Sequence, residues 1–149
     1  MGQAFLAACP FIRYIGCDIV PELIEHHQKE HGSERASFQL LDIVTDEPPK
    51  GDVCLVRQVF QHLSNRDVLD ALDRLRGFEA LYLTEGNPVI RNGPVNPDKA
   101  SNGHIRFGPR GVGRGLEWRE PPFSLRCEEI ARAISPPFEA IVTDRVWLD

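Results

Sequence analysis

Gly16-Cys17-Asp18-Ile19-Val20-Pro21-Glu22-Leu23-Ile24-Glu25 decides the fold of this 149-residue chain. Phe11 to Cys17 is a short run rich in aromatic and β-branched residues, the composition of a strand. Asp18 stands at its tip. Pro21 then suits the first position of a helix, because the missing N–H is one the helix would leave unpaired anyway. That helix is expected to run to about His31 and to close at Gly32, with Val20, Leu23, Ile24 and His27 on one face.

The same grammar continues on both sides. Gln3 to Cys9 reads as the end of a helix stopped by Pro10. Ser37 to Leu41 is strand-like and leads into Asp42, and Glu47 to Gly51 is a surface turn. Val53 to Val56 is a continuous apolar run, as in a strand covered on both faces. Ser64 is placed to cap a helix, with Asp67 three residues on and Leu63 and Val68 as a hydrophobic staple. Val68, Leu72 and Leu75 line that helix, Gly77 stops it, and Ala80 to Thr84 is another strand. Strands alternating with helices at this spacing predict an α/β fold with a Rossmann-like, mostly parallel sheet in a single domain.

From Gly86 to Gly115 the pattern breaks into a long loop rich in Gly, Pro and Asn. It carries Arg91, Lys99, Arg106, Arg110 and Arg114 against Asp98 alone. A loop of this length is functional or disordered. Gly111-Val112-Gly113-Arg114-Gly115 spells G-x-G-x-G but lacks the strand before and the helix after that a cofactor loop requires. Cys127 to Ile134 reads as a short helix, and Phe138 to Leu148 as a long strand or hairpin.

Composition narrows the function. A net charge of -5 argues against phosphate-neutralising contact with nucleic acid. No apolar run approaches the ~18 residues of a membrane span. Cys9, Cys17, Cys54 and Cys127 follow no metal or disulfide spacing; Cys17 and Cys54 read as buried thiols, which suits a cytoplasmic protein.

Three stretches in order resemble class I S-adenosylmethionine (SAM)-dependent methyltransferases acting on small molecules. They are YIGCDIVPELIE, FQLLDI and DVCLVRQVFQHLS, and the match covers most of residues 2–85. The resemblance implies a SAM cofactor with Asp18 on its ribose and Ile19 against the adenine. It places Asp42 near the adenine amino group and Ile43 beside the ring. Arg57, Gln58 and His62 would lie where the family lines its methyl-transfer site. The family's strand and glycine loop ahead of this region have no counterpart; Gly2 matches the last glycine of that loop. The pattern is therefore that of an N-terminally truncated member. Its expected SAM affinity is weak or nil, and its exposed sheet edge would pair directly or join a second copy.

Each residue also has a plainer role. Asp18 suits a helix cap, since a carboxylate near a helix N-terminus is favourable. Asp42 suits a turn. His26, His27 and His31 suit a helix C-terminus as well as a metal. His62 is either a general base or a local hydrogen-bond partner, and Arg57 and Gln58 either pocket or structural. Three functions stay open: a methyltransferase with a small-molecule acceptor, a non-catalytic remnant acting as a binding or oligomerisation module, and a nicotinamide dinucleotide enzyme.

Overall fold

The computed structural model describes residues 2–107, 112–135 and 139–148. The chain divides into two compact units, Met1–Pro49 and Lys50–Asp149.

The first unit contains helix α1 (Gly2–Ala8), strand β1 (Tyr14–Asp18), helix α2 (Pro21–His31) and strand β2 (Ala36–Leu40). β1 and β2 pair in parallel, from Tyr14 opposite Ala36 to Asp18 opposite Leu40. Pro21 opens α2 and the Gly32 N–H closes it on the Gln28 carbonyl at 3.0 Å. The packing of this unit is aromatic. The Tyr14 and Phe38 rings meet edge to face at 6.0 Å, and His27 stacks on Phe38 at 5.4 Å. Glycines admit these rings. A Cβ on Gly2 would lie 2.6 Å from the Tyr14 ring, and one on Gly16 would lie 2.6 Å from the Phe38 ring. Cys17 is exposed rather than buried, because it points to the face of β1 away from Gly16.

The second unit is built on β3 (Val53–Arg57), helix α3 (Asn65–Arg74) and β4 (Ala80–Pro88), a parallel βαβ motif with Val53 opposite Ala80 and Arg57 opposite Thr84. Short 3-10 turns at Phe60–His62 and Leu75–Gly77 flank α3. Two-residue strands β5 (Ile90–Arg91) and β6 (Val112–Gly113) pair in parallel. Then β7 (Arg126–Ser135) and β8 (Glu139–Trp147) pair antiparallel, with an irregularity between Glu129 and Ala131. The four long strands form one sheet in the order β3-β4-β8-β7, in which β8 alone runs against the rest. The α/β fold with mainly parallel strands is as the sequence predicts.

One expectation fails. Cys127 to Ile134 is a strand, not a helix. Its Glu, Ala and Arg residues favour helix intrinsically, but pairing along β8 from Arg126–Trp147 to Ser135–Glu139 overrides a preference of only tenths of a kcal/mol per residue. Phe138 lies outside the described residues; the strand reading of the segment after it stands.

The core of the second unit lies on one face of its sheet. Val68, Ala71, Leu72 and Leu75 recur at helical spacing and are buried, as are Phe60, Leu81, Leu83, Trp118, Phe123, Val142 and Val146; the Trp118 ring meets those of Phe60 and Phe123 at 5.8 and 5.4 Å. Ser64 Oγ accepts from the Asp67 N–H at 3.1 Å and caps α3 as its sequence predicts.

Candidate functional site

Two strand ends carry the residues singled out by the sequence. The first belongs to the β1–β2 pair. Asp18 closes β1, and its Oδ1 accepts from the Val20 N–H at 3.0 Å, so it shapes the turn into α2. Its main-chain carbonyl accepts from the Leu41 N–H at 3.0 Å, which brings the exits of β1 and β2 together. Asp42 is thus at the same end of the pair as Asp18. Asp42 Oδ1 accepts from the Val44 N–H and its carbonyl from the Asp46 N–H, forming the turn that the plainer reading expects. Each aspartate keeps a second carboxylate oxygen, Oδ2, that meets no donor among the described residues. Acceptor-only oxygens of this kind suit the hydroxyl and amine donors of a nucleoside. Ile19 is 63% exposed beside them and Ile43 is half-buried. Gly2 sits against the Tyr14 ring, which also reaches over Gly16.

The second strand end belongs to β3 and β4. Arg57 ends β3 with its side chain exposed. Gln58 has φ of 54°, a left-handed conformation rare for a residue with a side chain, and its N–H donates to the Thr84 carbonyl at 2.7 Å. The chain then folds over Glu85. This carboxylate is 1% exposed and accepts from the N–H groups of Val59, Phe60 and Gln61 at 3.3, 2.9 and 3.2 Å. Burial pushes its pKa from 4.5 up to about 7, against the pull of the three N–H donors and of Arg106. Gln61 completes the clamp, its Oε1 accepting from the Gly86 N–H at 3.0 Å.

His62 follows directly. Its ring Nε2 lies 3.4 Å from the Gln61 amide, and its Nδ1 is buried without a partner among the described residues. Its main-chain carbonyl accepts from Lys99 Nζ at 2.7 Å and from the Asn102 N–H at 3.0 Å.

The basic loop is fastened down at its described residues. Arg106 is buried and donates to the carbonyls of Leu63 and Pro97 and to Asn65 Oδ1. Asp98 accepts from the Asn65 N–H at 2.8 Å; Ser101 accepts from the Ser64 N–H at 2.7 Å and donates to Asp67. These contacts draw the Asp67 and Asp98 carboxyls below their ordinary range. Asn96 holds the far side: its Nδ2 reaches the carbonyls of Glu117, Glu120 and Pro121, and its Oδ1 accepts from the Glu117 N–H. Arg91 and Arg114 converge on Glu117 at 3.0 and 3.7 Å. Arg110 and Gly111 lie outside the described residues. Of the G-x-G-x-G run, Gly113 belongs to β6, and Gly115 lies so near the Asn87 side chain that a Cβ would sit 1.8 Å from Asn87 Oδ1.

Glu85, Gln61, Asn96 and Arg106 were not legible as site residues. A usable signal existed for Glu85 alone: it is an acid at the tip of the apolar run Ala80 to Leu83, as Asp18 is at the tip of β1. Among the described residues no group of three His, Cys, Asp or Glu is placed to hold a metal, so the three histidines of α2 form no metal centre there. No helix among them is long and apolar enough to cross a membrane.

No protein-family model and no curated protein matches the chain in sequence. Solved structures do match it in fold. The YcgJ protein of Bacillus subtilis aligns over 99% of this chain and 88% of its own, at TM-score 0.65 and 15% identity. The N-terminal domain of EvdMO1 with SAH bound aligns over 99% of this chain and 69% of its own, at 0.63 and 18%. Human N-acetylserotonin methyltransferase in complex with SAM aligns over 99% and 44%, at 0.60 and 12%. The chain spans 39% of LepI and 44% of the human enzyme, so it corresponds to a part of these longer proteins. The fold is that of class I SAM-dependent methyltransferases, the family that the sequence resembles.

Proposed function

We propose that the chain is a methyltransferase-type domain that holds SAM and passes its methyl group to a small-molecule acceptor. The observation carrying this reading is the pairing of Asp18 and Asp42 at one end of a parallel strand pair, each with a spare carboxylate oxygen. The solved neighbours with SAM or SAH bound support it. Asp18 takes the ribose hydroxyls, Asp42 the adenine amino group, and Ile19 and Ile43 supply apolar surface to the ring. Gly2 keeps α1 close to β1 through Tyr14.

SAM supplies a methyl group that its sulfonium already makes electrophilic. The protein's task is alignment and exclusion of water. In the second unit Glu85 and Gln61 fix the turn that presents Arg57, Gln58 and His62. His62 accepts the proton when the acceptor is a protonated oxygen or nitrogen. Arg57 and Gln58 line the acceptor side, in a cytoplasmic setting.

Calorimetric titration with S-adenosylhomocysteine (SAH) tests the reading. Weak binding is expected. Asp18→Ala is expected to cost about 1.5–3 kcal/mol, the range of hydrogen bonds to a charged group. Absence of binding up to about 1 mM, near -4 kcal/mol, would transfer the chain to the second reading.

That second reading is a non-catalytic module joined to another copy at a sheet edge. It is favoured by β3, an edge strand with Val53 and Leu55 exposed. Sedimentation separates the two, since a module of this kind is a dimer that SAH leaves unchanged.

A further inference from the structure

The turn from Gln58 to Gln61 is tied down by three consecutive residues of β4. The Gln58 N–H donates to the Thr84 carbonyl. The N–H groups of Val59, Phe60 and Gln61 converge on the Glu85 carboxylate, and the Gly86 N–H donates to Gln61 Oε1. Gln58 has a left-handed φ of 54°, which a residue with a side chain keeps where its surroundings impose it. Glu85 is thus the middle tie of a strained segment, and it is the tie that can gain or lose a proton.

Its surroundings do not neutralise its charge. Successive N–H groups turned to one point form a hollow for an anion, but they bring partial charges alone. Among the described residues no cationic side chain makes an ion pair with Glu85. Arg106 acts on it from a distance, while its own Nη atoms are occupied by the Leu63 and Pro97 carbonyls and Asn65 Oδ1. The other titratable groups around the turn are His62, next in the chain, and Glu139 of β8, whose Oε1 crowds Gly86 beside Gln61 Oε1. Val142, opposite Glu85 on β8, is apolar and buried. A carboxylate 1% exposed in this company is driven toward its neutral form.

A proton on Glu85 changes its three bonds unequally. A carboxylate is acceptor-only, whereas a carboxylic acid carries an O–H. Oε1 accepts from Val59 and Phe60, and Oε2 accepts from Gln61 alone. Protonation at Oε2 therefore disturbs one bond where protonation at Oε1 would disturb two. It sets an O–H against the Gln61 N–H, donor facing donor.

We propose that Glu85 is a proton-operated latch on this turn: as a carboxylate it holds all three amides, and as a carboxylic acid it releases the Gln61 N–H and loosens the adjoining His62. The turn is then tighter on the alkaline side of the transition. What the latch controls, the setting of Gln58 and His62 on the acceptor side, rests on the methyltransferase reading; the latch itself does not.

The test is an NMR titration of the labelled full chain, without SAH, from about pH 4 to about pH 9, a range that spans ordinary and raised carboxyl values. It follows the Glu85 side-chain carboxyl carbon, the main-chain amides of Val59 to His62 and the His62 ring. The carboxyl is expected to titrate near 7. The Gln61 N–H is expected to move downfield with the same midpoint as pH rises, and further than those of Val59 and Phe60. Glu85→Gln places an oxygen on the first two amides and an NH2 group against the third. It is expected to abolish the Gln61 transition and hold that signal near its low-pH position. A Glu85 carboxyl that titrates at an ordinary value of about 4.3 would overturn the latch, and this wild-type result decides even where Glu85→Gln does not fold. So would a Gln61 signal that moves no further than its two neighbours, or a transition that persists in Glu85→Gln or vanishes in His62→Asn. No ligand enters the experiment, so its failure is distinct from failure of the SAM reading.

Discussion

The first unit carries the most readable motif of the chain and almost none of its core, while the second carries the reverse. Among the described residues, Ala36 is the one buried hydrophobic side chain of the first unit; the rest of the buried set, from Val56 to Val146, belongs to the second. Phe11 is 97% exposed, and Ile19, Val20 and Leu40 are exposed as well. A two-stranded sheet with little buried surface is marginal in water, whereas four strands with a helix on one face are not. Local grammar and local stability are therefore different properties. Asp18, Pro21 and Gly32 specify a conformation without supplying the burial that holds it.

The sharpest way to break this contrast is hydrogen exchange. Amides of β4 and β8 are expected to exchange at least about a hundredfold more slowly than those of β1 and β2, because local opening costs follow buried contacts. Equal protection would show that the first unit gains its stability by a route other than burial.

Next comes Glu85, which concentrates the polar cost of the second unit. Glu85→Ala strands the N–H groups of Val59, Phe60 and Gln61 and is expected to cost about 3 kcal/mol in urea denaturation. The wild type should also lose stability as pH rises. The folded pKa of about 7 lies above the unfolded 4.5, so the contribution is complete below pH 4.5 and fades as pH climbs through 7. The total is roughly 3 kcal/mol. Glu85→Gln is expected to flatten that slope while keeping an oxygen for the amides.

A smaller effect is expected at Arg106. Arg106→Ala leaves the Leu63 and Pro97 carbonyls and Asn65 Oδ1 without their donor, at about 2 kcal/mol, and should expose the loop around Lys99 to protease. The smallest is Ser64→Ala, about 1 kcal/mol for a lost helix cap.

What was legible follows from range. Pro21, Gly32, Ser64 and the spacing of Val68, Leu72 and Leu75 act within a few residues, and α2, α3 and β1 to β4 stand where they point. β7 was misread because its hairpin with β8 is a longer-range pairing that outweighs helix-forming Glu, Ala and Arg. The loop from Gly86 looked free because its anchors span 21 to 43 residues: Asn96 to Glu117, Arg106 to Leu63, Ser101 to Ser64. No periodicity or turn signal encodes such contacts. The role of Asp42 as a turn former was likewise legible; Asp18, read as a helix cap, instead accepts from the Val20 N–H ahead of α2, which has no side-chain cap, and the proposed cofactor contacts of both rest on the oxygens left over.

The most direct test of that proposal follows backbone amide signals of the labelled chain during addition of SAH. The account predicts shifts concentrated at Asp18 to Val20 and at Asp42 to Val44, with a loss of at least tenfold in affinity for Asp18→Ala. SAH binding that leaves both turns unmoved, or that survives Asp18→Ala undiminished, would contradict it.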